Sequence, residues 1–274
     1  DALAPIVAVM KGELLHSDGV LGLDGTSIKI LAQPHCARRE LYIYHGGGHV
    51  VFELLPRKDA STVLAGFETF RGLGVGDAAR VHLGTVAKSK GLRLALCHAH
   101  ARRRFFKARE ADHARSAHVL RFYRQLAHLE RSWSDLSPTD RQHERETVLG
   151  PRFAALKVWA QQQQGEVHEQ SPMRQALNYL LAHWDGLTLF PRDGRLPWHN
   201  NESERLLRHI AVGRHAWMFR GSLKGARRAI VHLCRCRINI GLARRHELVA
   251  REFAVRHRLS ADAVRSVVAR RLGF

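Results

Sequence analysis

The sequence lacks long apolar runs: no stretch of about 18 apolar residues is present, which excludes a transmembrane helix. Its first residues show no basic segment followed by an apolar one, so no secretory signal peptide is recognisable. Only 4 cysteines occur in 274 residues, too few for a disulfide framework. A reducing cytoplasm is therefore the expected compartment. The chain begins at Asp1 rather than at a methionine, so we expect a fragment of a longer product.

Acidic residues are also scarce compared with basic ones. The chain has 25 Asp and Glu against 44 Lys and Arg, which gives a formal net charge of +19. Such an excess predicts a polyanionic partner, nucleic acid first and an anionic membrane surface second. Most of the basic residues are arginines, whose planar guanidinium suits two-point contacts with phosphate.

The first hundred residues show the pattern of short strands with turns. Apolar and polar residues alternate in several segments, which is the period of a half-buried strand. A Gly-rich loop at 46–48 predicts a hairpin. The predicted strands are 20–31, 40–45, 49–55, 72–77 and 92–97, and the predicted helices are 59–70 and 78–90. This order predicts a mixed sheet covered by helices, an α/β fold.

The remainder of the chain is mostly helical in pattern. Residues 99 to about 136 predict a long helical stretch, and Ser137-Pro138 and Ser171-Pro172 predict two further helix starts. A helix is predicted from Asn200 or Asn201 to about Ala211. An extended segment at 215–220 and a basic helix at 224–242 follow.

Three acids lie where predicted strands or helices end or begin. Asp24 lies inside the first strand, Asp77 closes the fourth, and Glu204 lies in the first turn of the helix after Asn200. Carboxylate oxygens are the ligands that Mg²⁺ prefers, and paired sites of this kind catalyse phosphoryl transfer. From spacing alone, an alternative stays open. The two aspartates could be turn or strand-end residues, and Glu204 could be the glutamate of a capping box begun by Asn201.

Three segments of the sequence resemble the motifs of a known protein family, and they occur in the same order along the chain. They are CHAHARRRFF at 97–106, NNESER at 200–205 and GRHAWMFRGS at 213–222. They resemble the C-W-A-H-A-R-R-x-F, D-N-N-x-x-E-R and G-R-K-N-W-x-F-x-G-S motifs of the insertion-sequence-66 transposases. The resemblance runs from about residue 18 to about residue 245. The sequence also departs from the family pattern: Gly25 stands where the family often has an acid, His199 replaces the acid before the asparagines, Ala79 replaces an aromatic residue after Asp77, and His82 lies near the second aromatic position.

The resemblance implies a transposase of the DDE class, with a ribonuclease-H-like mixed sheet, flanking helices and a large helical insertion before the last catalytic helix. It implies that Asp24, Asp77 and Glu204 are the catalytic residues and the ligands of Mg²⁺, for which Mn²⁺ can substitute. The expected division is the first part of the catalytic core at 1–98, a helical insertion at 99–195, the rest of the core at 196–242 and a basic helical tail at 243–274.

The expected partner is DNA, both the transposon ends and the target, bound by a homo-oligomer. We expect no membrane association and a bacterial cytoplasmic location at the nucleoid. The residues predicted to contact DNA are basic or lie beside the acids: His100, Arg102, Arg103, Arg205, Arg208, Arg214 and Lys224. Arginine contacts of this kind mostly bind phosphate and provide little sequence readout.

Two alternatives remain open beside a transposase that cleaves and joins DNA strands. One is a catalytically inactive remnant that still binds DNA. The other is a structure-specific nuclease that uses the same acids without strand transfer. Metal-dependent cleavage separates both enzymes from the remnant, and the joining of a free 3′-OH to a target separates the transposase from the nuclease.

Overall fold

The computed structural model describes residues 4–16, 19–31, 36–217 and 222–238. Within these ranges the strands are β1 (Leu21–Leu31), β2 (Cys36–Gly46), β3 (His49–Leu55), β4 (Gly72–Gly76) and β5 (Leu92–Leu96). The helices are α1 (Ala4–His16), α2 (Ala60–Ala65), α3 (Arg80–Lys88), α4 (His98–Ala108), α5 (His113–Ser132), α6 (Pro138–Glu144), α7 (Gly150–Glu166), α8 (Pro172–Ala182), α9 (Trp184–Leu187), α10 (Asn201–Trp217) and α11 (Leu223–Ile238).

The described strands form one mixed sheet in the order β3-β2-β1-β4-β5. The first three strands are antiparallel, and β4 and β5 run parallel to β1. The tight turn between β2 and β3 uses Gly47 and Gly48 at φ of 54° and 83°, values that glycine adopts without steric cost. The predicted mixed α/β fold, with five strands and helices around them, is therefore confirmed.

The two faces of the sheet pack against different helices because successive side chains of a strand point to opposite sides. Along β2, Tyr42 and Tyr44 belong to the larger core cluster, which continues into α4, α5, α7 and α8. Leu41 and Ile43 belong to a smaller cluster that α10 and α11 close from the other side. The helix α10 packs on β1, and α11 packs on β3.

Residues 97–200, all of them described, contain only helices, turns and loops. The predicted helix starts are confirmed: Ser137 and Ser171 each accept a hydrogen bond from a backbone amide three residues later, and a proline opens each helix. The predicted stretch from 99 to 136 is in fact two helices. It divides at Asp112, whose side chain caps α5 by accepting from the Arg115 amide at 3.0 Å.

A buried ion pair holds the helical region together. Arg145, in a π-helical turn between α6 and α7, is 1% exposed and lies 2.6 Å from Glu130. It also donates to the carbonyls of Phe190, Asp193 and Leu196 at 3.0–3.1 Å. These bonds fix the course of the segment that leads into α10.

The predicted end of α10 is wrong. The helix runs to Trp217 rather than to about Ala211, so residues 215–217 are helical and not extended. A single glycine such as Gly213 costs a helix only about 1 kcal/mol, which packing of the same helix on the sheet can offset. Among the described residues, no helix has the length and apolar character needed to cross a membrane. The predicted tail at 243–274 lies outside the described residues.

Candidate active site

Asp24 and Asp77 lie level with each other because their strands are parallel neighbours. Gly22 of β1 is paired with Val75 of β4, and each aspartate comes two residues beyond its member of that pair. Asp24 is also the cross-strand partner of Ile43, so it lies on the sheet face that α10 covers. The fold therefore places two acids side by side, facing the helix that carries the third.

The electrostatics of Asp24 connect all three predicted acids. Burial, together with the charges of Asp77 and Glu204, raises the pKa of Asp24 to about 6, although the hydrogen bond from the Gly25 amide works in the opposite direction. Neighbouring carboxylates disfavour one another's ionised form. Asp24 thus interacts through its charge with both of the other acids.

Asp77 is held by two hydrogen bonds to the same carboxylate oxygen. Its Oδ1 accepts from His82 Nδ1 at 2.5 Å and from the Ala79 amide at 3.1 Å. Burial alone would raise the pKa of Asp77, but the hydrogen bond and charge of His82, with the Ala79 amide and His100, lower it below its usual value. His82 is only 2% exposed, and its ring meets Tyr42 edge-on. The contacts of Asp77 therefore favour the ionised form of its carboxylate and hold it in one orientation.

Glu204 lies in the first turn of α10 but does not cap it. The helix begins at Asn201, so Asn200 precedes it and Glu204 is its fourth residue. The backbone amide of Asn200, which a capping glutamate would accept from, donates instead to Cys97 Sγ at 3.2 Å. His100 Nε2 lies 3.8 Å from Glu204 Oε1. This geometry does not fit the capping-box alternative and leaves the carboxylate available for another role.

The start of α10 is attached to the sheet through residues for which sequence patterns predicted no role in the site. Asn200 is 2% exposed; its amide donates to Cys97 Sγ at 3.2 Å and its Nδ2 to the Leu23 carbonyl at 3.3 Å. His45 Nε2 lies 2.7 Å from Ser203 Oγ. The sequence signals were that Asn200 or Asn201 opens a predicted helix and that Asn200 and Ser203 fall within the NNESER segment; His45 had none.

The predicted DNA-contacting residues are divided among three helices. On α4, His100 lies beside Glu204, and the side chains of Arg102 and Arg103 are exposed. On α10, Arg205 is exposed and bonded to Glu202 at 2.6 Å, and Arg208 is exposed. Lys224 is exposed near the start of α11. Arg214 falls in the last turns of α10, where side chains lie outside the described residues. No contact of the described residues links Arg208 or Lys224 to the three acids.

Carboxylate oxygens make this group chemically suited to a hard divalent cation. Asp24, Asp77 and Glu204 are the residues that could hold one. Among the residues that the structure describes, however, no group of three or more His, Cys, Asp or Glu side chains is arranged to hold a metal ion. The acids interact through their charges without forming a ready ligand cage.

Comparison with known proteins gives a family. The model described as Transposase IS66 family matches residues 1–228. The uncharacterized protein y4hP of Sinorhizobium fredii is 34% identical over a match that covers 56% of this chain and 30% of that protein. The uncharacterized protein y4jD of the same organism is 32% identical, and the match covers 51% of this chain and 27% of that protein. The chain thus spans less than a third of the length of either relative.

Proposed function

The chain belongs to the IS66 transposase family, and on that premise we propose that it carries the catalytic centre of a DDE-type transposase. Its reaction would be metal-dependent cleavage of DNA strands at insertion-sequence ends, followed by strand transfer. The observation that carries the proposal is the electrostatic grouping of Asp24, Asp77 and Glu204 from two parallel strands and one helix. The strand order β3-β2-β1-β4-β5, with two antiparallel and two parallel pairings, supports a ribonuclease-H-like core.

The three carboxylates provide oxygen ligands of the kind that Mg²⁺ prefers. Asp24 has a raised pKa because it is buried and has acidic neighbours, and a divalent cation would relieve that repulsion. Since no ligand cage is formed among the described residues, the carboxylates would have to draw together when a cation binds. When bound, Mg²⁺ would activate a water, or later the 3′-OH of a DNA strand, as the nucleophile and would stabilise the leaving oxygen.

The protein's own groups would prepare this chemistry. His82 and the Ala79 amide hold Asp77 by one oxygen, so that its ionised form keeps one orientation. His100 lies beside Glu204, and it precedes the exposed Arg102 and Arg103 on the same helix. These arginines would bind DNA phosphates close to the acids, where charge and geometry matter more than base readout.

One observation favours a second candidate, the inactive DNA-binding remnant. The acids lack a preformed cage among the described residues, as a decayed site would. A remnant would keep its affinity for DNA through the net charge of +19 but would not cleave DNA at any Mg²⁺ or Mn²⁺ concentration.

The test is nicking of supercoiled plasmid by the purified chain, with Mg²⁺ or Mn²⁺ titrated from zero. Nicking by wild type should depend on the metal and be lost in Asp24→Asn, Asp77→Asn and Glu204→Gln. The matched control is Glu202→Gln, an acid on the same helical turn that is bonded to Arg205; it should nick like wild type. Equal nicking by Glu204→Gln and wild type would refute the site assignment, and no nicking by wild type would favour the remnant.

A second assay separates the transposase from the nuclease. A labelled duplex with a recessed 3′-OH is incubated with plasmid, metal and wild-type protein. Joined products support strand transfer. Cleavage without joining, over a panel of duplex ends, would instead support the nuclease alternative.

A further inference from the structure

One buried residue, Asn200, connects the start of α10 to β1 and to the residue that follows β5. The backbone amide of Asn200 donates to the sulfur of Cys97, just beyond β5. Its side-chain Nδ2 donates to the carbonyl of Leu23 in β1, and its Oδ1 accepts from Ser203 in α10. A single residue thus contacts β1, the residue that follows β5 and the helix.

These hydrogen bonds lie next to two of the acids, Asp24 in β1 and Glu204 in α10. Leu23 directly precedes Asp24 in β1, so the Asn200 side chain is attached one residue from the first acid. Glu204 is one helical turn after Asn200, and its amide donates to the Asn200 carbonyl at 3.2 Å. Residues four apart lie on the same side of a helix. The position of Glu204 relative to Asp24 therefore depends on Asn200.

A second connection supports the same geometry. Because Ser203 donates its one hydroxyl proton to Asn200, His45 Nε2–H is the donor in the 2.7 Å bond to Ser203 Oγ. Burial lowers the pKa of His45, which agrees with a neutral ring in this role. Gly22 is the cross-strand partner of His45, and a Cβ at this position would collide with the imidazole. The absence of a side chain at Gly22 lets the ring lie against β1 and reach α10.

We propose that Asn200 is a positioning residue for the proposed transposase centre, which holds the start of α10, and with it Glu204, beside the strand that carries Asp24. Its contribution is the Nδ2 hydrogen bond to β1 in addition to helix capping. This inference rests on the proposed function, because a positioning residue needs a site to position.

The test compares Asn200→Asp with Asn201→Asp. Aspartate caps a helix as well as asparagine does, and it still accepts from Ser203, but it cannot donate to the Leu23 carbonyl. Asn201→Asp introduces the same charge one residue further on, at an exposed position. Asn200→Ser, also a good cap, is the uncharged second variant and is too short to reach Leu23.

The readouts are plasmid nicking, DNA affinity, melting temperature and Mn²⁺ affinity by calorimetry in the absence of DNA. Both Asn200 variants should nick roughly 100-fold more slowly, because misplacing a reacting group by about 1 Å has an effect of that size. Their Mn²⁺ affinity should fall, whereas DNA affinity should stay within about twofold because the phosphate contacts are retained. Asn201→Asp should match wild type in all four measurements.

Three results would overturn the inference, and they are distinguishable. If wild type nicks and binds Mn²⁺ and both Asn200 variants do so equally well, Asn200 has no positioning role although the proposed function stands. If wild type neither nicks nor binds Mn²⁺, the proposed function fails and the inference fails with it. The melting temperature of the variants could also fall while their Mn²⁺ affinity and nicking, measured well below that temperature, stay unchanged. Asn200 would then have a structural role only, and the inference would again be overturned.

Discussion

His98 should make the stability of this protein depend on pH. Its side chain is fully buried where β5 meets the helical region, against Tyr123, Phe153 and Phe190. Its Nε2–H donates to the Leu187 carbonyl at 2.8 Å. Burial, which outweighs that hydrogen bond, lowers the pKa of His98 to about 4 from its ordinary 6.5. The folded protein therefore keeps this imidazole neutral in a range where the unfolded chain protonates it.

The sign and size of the effect follow from proton linkage. Between pH 6.5 and pH 4 the unfolded state binds more protons than the folded state, so stability is present above this range and is lost as the pH falls through it. With these two pKa values, lowering the pH from 7.5 to 4.5 should remove about 2.5 kcal/mol of the unfolding free energy.

The assay is urea denaturation of wild type and His98→Gln at both pH values. Other groups titrate equally in the two proteins, so the difference between the two pH-induced changes isolates His98. His98→Gln should lose about 2.5 kcal/mol less than wild type between the two pH values. The control His128→Gln removes an exposed histidine of α5 and should follow wild type. Parallel pH profiles for wild type and His98→Gln would refute the reasoning.

Three further predictions concern Glu204, the exposed arginines of α4 and the buried ion pair of Arg145. Glu204→Gln should leave the unfolding free energy within about 0.5 kcal/mol of wild type by urea denaturation, since the residue is a half-exposed group that does not cap α10; a larger loss would show a structural role. DNA affinity should fall steeply with salt, and changing Arg102 and Arg103 to Gln should reduce the slope of log K against log salt by about 2 in fluorescence anisotropy titrations; an unchanged slope would remove both from the DNA surface. Arg145→Met should destabilise the fold by about 3–5 kcal/mol in urea melts, because it leaves Glu130 buried without its partner, and a loss under about 1 kcal/mol would contradict this account.

Local sequence signals predicted much of the fold. Alternation of apolar and polar residues located the strands to within a few residues, because one face of each strand is buried. Ser137-Pro138 and Ser171-Pro172 marked helix starts because capping depends on neighbours in the sequence. The end of α10 was predicted too early, at about Ala211 instead of Trp217; packing on the sheet can offset the small cost of a glycine such as Gly213 within the helix.

The site was predicted in part. The acids could be named from their motifs, but the groups that hold them depend on contacts between distant segments. Asn200 reaches Leu23 across 177 residues, and His45 reaches Ser203 across 158. No periodicity or composition contains such information. His82, five residues from Asp77, is the exception: a histidine just inside the helix after a strand-end aspartate could have been proposed from spacing.

The buried Arg145 shows a second limit of sequence patterns. An arginine in a charged helical segment is predicted to be solvated, because charged side chains are seldom fully buried unless paired. Here the pairing partner Glu130 lies in another helix, and the carbonyls that accept from Arg145 lie in the segment before α10. Only the tertiary structure brings them together.

The most direct test of the central claim is a crystal structure of the chain soaked in Mn²⁺, with anomalous diffraction used to locate the metal. We expect Mn²⁺ between the carboxylates of Asp24, Asp77 and Glu204, at ligand distances of about 2.0–2.2 Å as for hard cations with oxygen ligands. Mn²⁺ bound only elsewhere, or none at a concentration that supports nicking, would contradict the assignment of these three acids as the catalytic centre.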